Sequence, residues 1–360
     1  MLKNMVNKTK ILTLLLVFAI VLSILCTGCG DKQKTDSASQ QEETQKVIVT
    51  DGLGRQIEIT DKVERIVVNY GIAGHMIFAL GEQDKLVGID SPSKNNAFFN
   101  AIKPGFSSLP APGSPNNINI EELVTLDPDL VLVPGRNKEL AENLEQRGFT
   151  VFGVTAEDLE ELKTTMENLG KALGCEDKAT QFIEYYDEAI NTVQKKTKGL
   201  QPEERPGVYV VGPTGLLSTC SGDMYQHFLI DLVGGRNVSA DETGEVIPGH
   251  GWFEVSPEQL MKWNPDIIVV TQYTSGITPE QILADERLQG LNAVKNKQVF
   301  WFPSEMNAWD YPSPQAVLGM KWLAKKIHPD KFLDVDIEKE ADDFFEMLYG
   351  KTFTDLGGSL

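Results

Sequence analysis

The chain reads as an α/β protein of two lobes, each built on a central, mostly parallel sheet flanked by helices, with one long rigid helix joining them. Three observations predict this. Short apolar runs alternate with amphipathic stretches, the pattern of strands covered on both faces by helices. A middle segment of 22 residues, 177–198, keeps helical periodicity with no Gly or Pro inside it. An eleven-residue motif of the first half, 119–129, returns in the second. The length of 360 residues suits two domains. With 41% hydrophobic and 24% charged residues, and only 31 Gly and 18 Pro, collagen-like and low-complexity chains are excluded. The net charge of −19 argues against a nucleic-acid or anionic-membrane partner, each of which needs basic patches.

The elements follow in order. Lys3, Lys8 and Lys10 precede the apolar run Ile11 to Leu25, a charged segment followed by a hydrophobic one. At 15 residues the run is short for a membrane-spanning helix. It ends in Cys26-Thr27-Gly28-Cys29, which resembles a bacterial lipobox with Cys29 as the first mature residue and the site of lipid attachment. Cys26 stands where Leu is usual. Removing residues 1–28, with their three lysines and no acid, leaves a charge of −22. Residues 30–46 hold Ala38 as their one apolar side chain and read as a flexible tether. Cys175 and Cys220 fall in different units and are expected to be separate thiols.

Val47–Val49 and Gln56–Ile59 flank the Asp51-Gly52 turn signal as a hairpin. Arg65–Asn69 is a buried strand leading into a helix over Ile72–Leu80, and Leu86–Ile89 is the next strand. Leu130–Val133 and Val151–Val154 follow, with a helix over Lys138–Arg147 between them. Glu157–Leu173 and Asp177–Lys198 are helices, the second about 33 Å long at 1.5 Å per residue. After Gln201-Pro202 the alternation restarts with the strand Val208–Val211. A helix over Asp223–Val233 is expected next, capped by Ser221 and stopped by Gly234-Gly235. Ile267–Val270 and Gln298–Phe302 are strands, and Pro314–Ile327 and Ile337–Leu348 are helices.

The motif running from Asn119-Ile120-Glu121 through Asp127-Pro128-Asp129 into Leu130–Val133 matches Ser256-Pro257-Glu258 through Asn264-Pro265-Asp266 into Ile267–Val270, 137 residues later. Each copy has a cap, a Glu in the first turn, a short helix, Pro-Asp and a buried strand. This predicts an internal duplication.

Together with Val49-Thr50-Asp51, Gly54-Arg55, Arg65-Ile66-Val67, Leu232-Val233-Gly234-Gly235-Arg236-Asn237-Val238 and the stretch Trp252 to Glu258, these residues resemble the solute-binding lipoproteins of ABC importers for ferric siderophores, cobalamin and haem. The resemblance covers nearly all of the mature chain. It implies the division 1–28 signal peptide, 29–46 lipid-anchored tether, 47–175 first lobe, 176–200 linking helix and 201–360 second lobe. It implies an extracytoplasmic, monomeric receptor on the outer face of the cytoplasmic membrane, whose partners are a permease and ATPase. It also implies that Glu121 and Glu258 dock arginine pockets of the permease. A carboxylate at a helix start is favoured by the dipole and pairs bidentately with Arg.

Ligands of open α/β sheets sit beyond the carboxyl ends of the strands. That selects Tyr70, Arg136, Ser221, Tyr225, His250, Trp252, Asn307, Trp309 and Tyr311 as the ligand-binding set. Arg136 suits an anionic ligand. The tyrosines suit hydrogen bonding or ferric ligation. Trp252 and Trp309 are expected to offer flat faces from loops. With four His and no paired-His motif, a bare metal site is not expected, and no cofactor is implied. No P-loop, Gly-x-Ser-x-Gly or His-Glu-x-x-His motif occurs, so an enzyme is not expected. The expected ligand is an iron chelate, a ferric siderophore first, with corrinoid or haem, or an oxyanion such as molybdate, as alternatives. A surface hydrolase or adhesin on a similar fold is the alternative of another class.

Overall fold

Asp51 shows how the sequence builds the first turn. Val47–Thr50 (β1) and Gln56–Ile59 (β2) pair antiparallel around it. Its buried carboxylate accepts the N–H groups of Leu53 (3.0 Å) and Arg55 (2.9 Å) and pairs with the Arg55 guanidinium. It also accepts the Gly153 N–H (2.9 Å), which pins the hairpin to the first sheet. The computed structural model describes residues 46–242, 251–272, 274, 276–304 and 306–360. The leader, Cys29, the tether before residue 46 and His250 lie outside these.

The first sheet contains Ile66–Val68 (β3), Leu86–Gly88 (β4), Leu130–Pro134 (β7) and Val151–Val154 (β8), all parallel, in the order β4-β3-β7-β8. A two-residue hairpin, Gly113–Ser114 (β5) and Asn117–Ile118 (β6), sits apart. The second sheet contains Gly207–Val211 (β9), Arg236–Asn237 (β11), Ile267–Val270 (β13) and Val299–Trp301 (β14), again all parallel, in the order β11-β9-β13-β14. The two orders are the same when each sheet is counted from its own first strand. Ser218–Cys220 (β10) and Trp252–Glu254 (β12) form a separate antiparallel pair.

The repeated motif has the same physical role in both halves. Asn119 caps helix Ile120–Leu126 and Ser256 caps helix Pro257–Trp263. Both helices end in a left-handed residue, Asp127 (φ 44°) and Asn264 (φ 46°). Asp129 then accepts the Glu64 and Arg65 N–H groups (2.8 Å each), and Asp266 accepts the Gly207 N–H (2.8 Å). Each aspartate thereby ties the start of its own central strand to the first strand of its sheet.

Among the described residues the α-helices are, in chain order, Gly71–Ala79 (α1), Ala97–Ile102 (α2), Ile120–Leu126 (α3), Lys138–Glu145 (α4), Leu159–Leu173 (α5), Glu176–Thr197 (α6), Tyr225–Leu232 (α7), Pro257–Trp263 (α8), Pro279–Ala284 (α9), Asn292–Lys295 (α10), Ala316–Ile327 (α11) and Ile337–Tyr349 (α12). The helix α7 starts two residues later than expected for an Asp223 start. Met224 occupies the cap position with no side-chain cap bond, while Ser221 hydrogen-bonds the Asp223 carboxylate. So Ser221 is not the cap. Its stop is as expected, with Gly234 at φ 80°. Both described cysteines are free thiols. No helix among the described residues is long and apolar enough to cross a membrane.

The 22-residue helix α6 buries Phe182, Tyr186, Ala189 and Val193. It packs on α5 on one side and on α11 on the other. Gly170 makes the first contact close: a Cβ there would stand 2.5 Å from that of Ala179. On the other side the buried Tyr186 hydroxyl donates toward the Pro314 carbonyl (2.8 Å) and accepts the Val317 N–H (3.3 Å). The linking helix is not the only bridge. Phe345 and Tyr349 of α12 meet Phe98 of α2 at ring distances of 6.0 and 4.9 Å, and Lys351 donates to the Ala101 carbonyl (2.9 Å). One apolar cluster therefore runs from Ile66 through α6 to Phe353.

Candidate functional site

All four strands of the first sheet deliver a polar side chain just past their carboxyl ends. Tyr70 follows β3, Asp90 follows β4, Arg136 follows β7 and Glu157 follows β8. Gly135 makes the Arg136 turn possible. A Cβ there would lie 2.3 Å from the Thr155 methyl and 2.9 Å from the Val154 carbonyl oxygen. With no side chain at 135, its N–H reaches that carbonyl at 2.7 Å and the exposed Arg136 follows directly. Asn137 then caps α4 by accepting the Leu140 N–H (3.1 Å).

Arg136 donates from Nη1 to the Tyr70 hydroxyl (3.3 Å), and its guanidinium carbon lies 5.4 Å from the centre of the Tyr70 ring. This is a cation held over an aromatic face with its remaining donors free to turn outward. Burial pushes the Tyr70 hydroxyl well above its ordinary pKa and raises that of Tyr311, and the Arg136 charge works against burial at both. Arg136 therefore senses a tyrosine from each half of the chain. Glu157 and Asp90 bias the Tyr311 hydroxyl in the opposite sense. Asp90 is 2% exposed, caps the turn of residues 91–95, and burial raises its carboxyl pKa.

The loop after β14 supplies the facing residues. Asn307 donates to Ser313 Oγ (2.9 Å) and Gln315 Oε1 (3.0 Å), so it shapes its own loop. Tyr311 is half-buried. Trp309 is a core residue: it is 0% exposed with its ring 5.6 Å from that of Phe353, and it offers no face outward. Trp252 is not in a loop. It opens β12 opposite Cys220 and lies 7% exposed, so close to the backbone that a Cβ on Gly212 would stand 2.5 Å from its ring. The expectation of two flat aromatic walls is not met: Trp309 packs on Phe353 and Trp252 on the backbone at Gly212. At Trp252 the missing side chain of Gly212 lets the ring pack against backbone and does not hold it open to solvent.

Tyr225 begins α7 with its hydroxyl buried and without a hydrogen-bond partner. Beside it lies a cavity of about 190 Å³ between α6, α7 and the start of α5, walled by Ile190, Phe228 and Leu229. Next to Tyr225, Gln226 donates to the backbone carbonyl of Asp310 (3.2 Å). The Asp310 carboxylate is 1% exposed with no donor on either oxygen, and burial pushes its pKa up to about 6. Asp90 and Asp310 did not enter the sequence reading of the site, although the first directly follows the Leu86–Ile89 strand and the second lies between Trp309 and Tyr311; Glu157 was read there only as the start of a helix. Glu121 and Glu258 are exposed in the first turns of α3 and α8.

Two like-ordered parallel sheets are joined by one long helix, with Tyr70 and Arg136 past strands of the first sheet and Tyr311 past the last strand of the second. The family model for periplasmic binding proteins matches residues 66–306. The chain belongs to that family. Among curated relatives, the molybdate-binding protein MolA of Haemophilus influenzae is 28% identical over 335 residues, spanning 85% of this chain and 92% of MolA. The structure of MolA bound to molybdate superposes with a TM-score of 0.73 at 25% identity, covering 85% of this chain and 98% of that one. The ABC transporter substrate-binding lipoprotein YvrC of Bacillus subtilis, uncharacterized, is 27% identical, covering 87% of this chain and 96% of YvrC. The petrobactin-binding protein YclQ of Bacillus subtilis is 24% identical over 327 residues, covering 87% of this chain and 96% of YclQ. This member of the family is a substrate-binding protein of the ABC-transporter type.

Proposed function

We propose that the protein captures a metal-bearing anion outside the cytoplasmic membrane and passes it to an ABC permease, with Arg136 as the anion's principal partner. The observation that carries this reading is the Arg136 guanidinium held over Tyr70, with its charge reaching Tyr311 of the opposite half. An oxyanion of the molybdate kind fits first. It needs a cation and hydroxyl donors and no broad aromatic wall, and Trp252 and Trp309 are buried. The likeness to MolA supports the same choice. A ferric chelate is the second reading, supported by the likeness to YclQ and by three tyrosines, Tyr70, Tyr225 and Tyr311, near the strand ends. Within this reading Cys29 carries the lipid, residues 30–46 are the tether, 47–175 and 201–360 are the lobes and 176–200 the link, and Glu121 and Glu258 dock the permease.

Isothermal titration against molybdate, tungstate, ferric catecholate, ferric hydroxamate and cobalamin tests the ligand class. Arg136→Ala is expected to weaken the bound anion by about 10- to 150-fold, the scale of one hydrogen bond to a charged group. Tight binding of neutral cobalamin, unchanged in Arg136→Ala, would sink the reading.

A further inference from the structure

At the amino end of β14, opposite the end that leads to Tyr311, lies a cavity of about 450 Å³. Its wall is made by Trp322, Lys325 and Lys326 of α11, by Pro329 and Ile337 beyond that helix, and by Gln298 just before β14. The size suits a small organic molecule, whose pockets run from about 300 to 1,000 Å³. Lysines in the last turn of a helix are favoured by its dipole, so their presence alone calls for no ligand. Their surroundings do. The Lys326 ammonium lies 4.5 Å from the centre of the Phe300 ring and 5.6 Å from that of Trp322. Burial lowers its pKa, Lys325 adds to this with a charge of like sign, and among the described residues no carboxylate pairs with it. Lys325 donates to the Val335 carbonyl. Asp334, which feels the Lys325 charge, is already held by Lys196. Leu360 also borders the cavity, with no ion pair to either lysine. Two cations thus stand side by side at an apolar wall with no carboxylate of their own, in a chain where 52 acidic residues outnumber 33 basic ones. Holding them there, partly out of water, costs free energy that a bound anion offsets.

We propose that this cavity is a second small-molecule site, for an amphipathic organic anion whose carboxylate or phosphate lies between the Lys325 and Lys326 ammonium groups and whose ring or short chain lies along Trp322, Pro329 and Ile337. The lysines select the charge. The apolar wall selects the body, since a bare inorganic ion would leave that wall wet. Gln298 is the polar neighbour on the β14 side. The site stands at the other end of its sheet from the Tyr311 loop, so it does not depend on what Arg136 binds.

The purified protein, carrying 5-fluorotryptophan at its five tryptophans, is titrated at pH 7.5 and followed by fluorine NMR, with Trp322→Phe identifying the Trp322 resonance. The probes are 2-naphthoate, 2-naphthyl phosphate, neutral 2-naphthol and inorganic phosphate. The two naphthyl anions are expected to shift the Trp322 resonance with a Kd of about 0.1–1 mM, while those of Trp252 and Trp309 stay in place. Naphthol is expected to bind at least ~10-fold more weakly, and inorganic phosphate to shift nothing. Lys326→Gln and Gln298→Glu are each expected to weaken the naphthyl anions by about 3- to 10-fold, and Lys262→Gln, at an exposed lysine of α8, to leave them unchanged. Where Lys326→Gln lowers the melting temperature, Gln298→Glu decides, because it sets a carboxylate beside the anion and keeps both lysines. Naphthol binding as tightly as naphthoate would reduce the site to an apolar crevice and overturn the proposal. Inorganic phosphate binding as tightly would overturn the amphipathic ligand. Sedimentation with phosphatidylglycerol vesicles without any response to the soluble anions would assign the lysines to a lipid surface, and the small-molecule site would fall.

Discussion

Asp310 and His75 pull the stability of the fold in opposite directions over the same acid range. Asp310 is buried with its carboxyl raised to about 6, against about 3.9 for an unfolded chain. Folding therefore binds a proton between these values, so stability falls as pH rises from about 4 to 6 and stays lowered above. His75 is buried between Phe98 (5.3 Å) and Phe99 (4.4 Å), and burial lowers its pKa to about 3. The neutral ring is kept in the fold, so its contribution is present above about pH 6.5 and is lost on acidification. Asp310→Asn is expected to stabilise the protein at pH 7.5, by up to the order of 2–3 kcal/mol, and by little at pH 4.5. Urea melts at the two pH values check this; a variant destabilised equally at both would show that the carboxylate is satisfied in the fold. At this scale the sequence was a partial guide. Arg136 and Tyr70 were legible because each directly follows an apolar strand, and position past a strand end is a topological rule. The burial of Trp252 and Trp309 was not, because it depends on Gly212 and Phe353, residues distant in sequence from the rings they pack against.

Gly319 decides how close α11 comes to the site. A Cβ on this helix residue would fall 2.1 Å from the Trp309 carbonyl oxygen and 3.1 Å from the Phe302 ring. Backbone cannot swing aside as a side chain can, so Gly319→Ala must push the 302–311 loop away from α11. We expect a loss of about 1–3 kcal/mol in a denaturant melt, together with weaker solute binding, because Tyr311 rides on the same loop. Full stability with unchanged binding would mean that the helix yields and the loop is not held by this contact. The long elements were readable from their periodicity, and the duplicated helix–Pro-Asp–strand unit was readable because its parts sit at one fixed offset. The strands β5, β6, β10, β11 and β12 were not, since two or three residues carry no period and owe their form to partners far along the chain.

At the scale of the molecule, two separate bridges join the halves: α6, clamped to the 313–317 segment by Tyr186, and α12, laid on Phe98. A hinge working on loops alone swings widely; one spanned twice by packed helices does not. Small-angle scattering with and without saturating solute is expected to differ by less than ~1 Å in radius of gyration, with the change confined to loops such as 302–315. A marked compaction would mean that α12 lifts off the first sheet's helices on binding. The sequence announced the first bridge through its uninterrupted 177–198 period. It concealed the second, because the amphipathic pattern of α12 says that one face is covered without saying by which half.

The placement of α12 also orders the birth of the molecule. Phe98, Phe99 and Phe106 are made early, yet part of their cover, Phe345 and Tyr349, comes more than two hundred residues later. Until then the first half carries an unfinished aromatic surface of the kind that chaperones hold and proteases find. A chain cut short in synthesis is thereby marked as defective by its own first half, and only a complete copy conceals the mark.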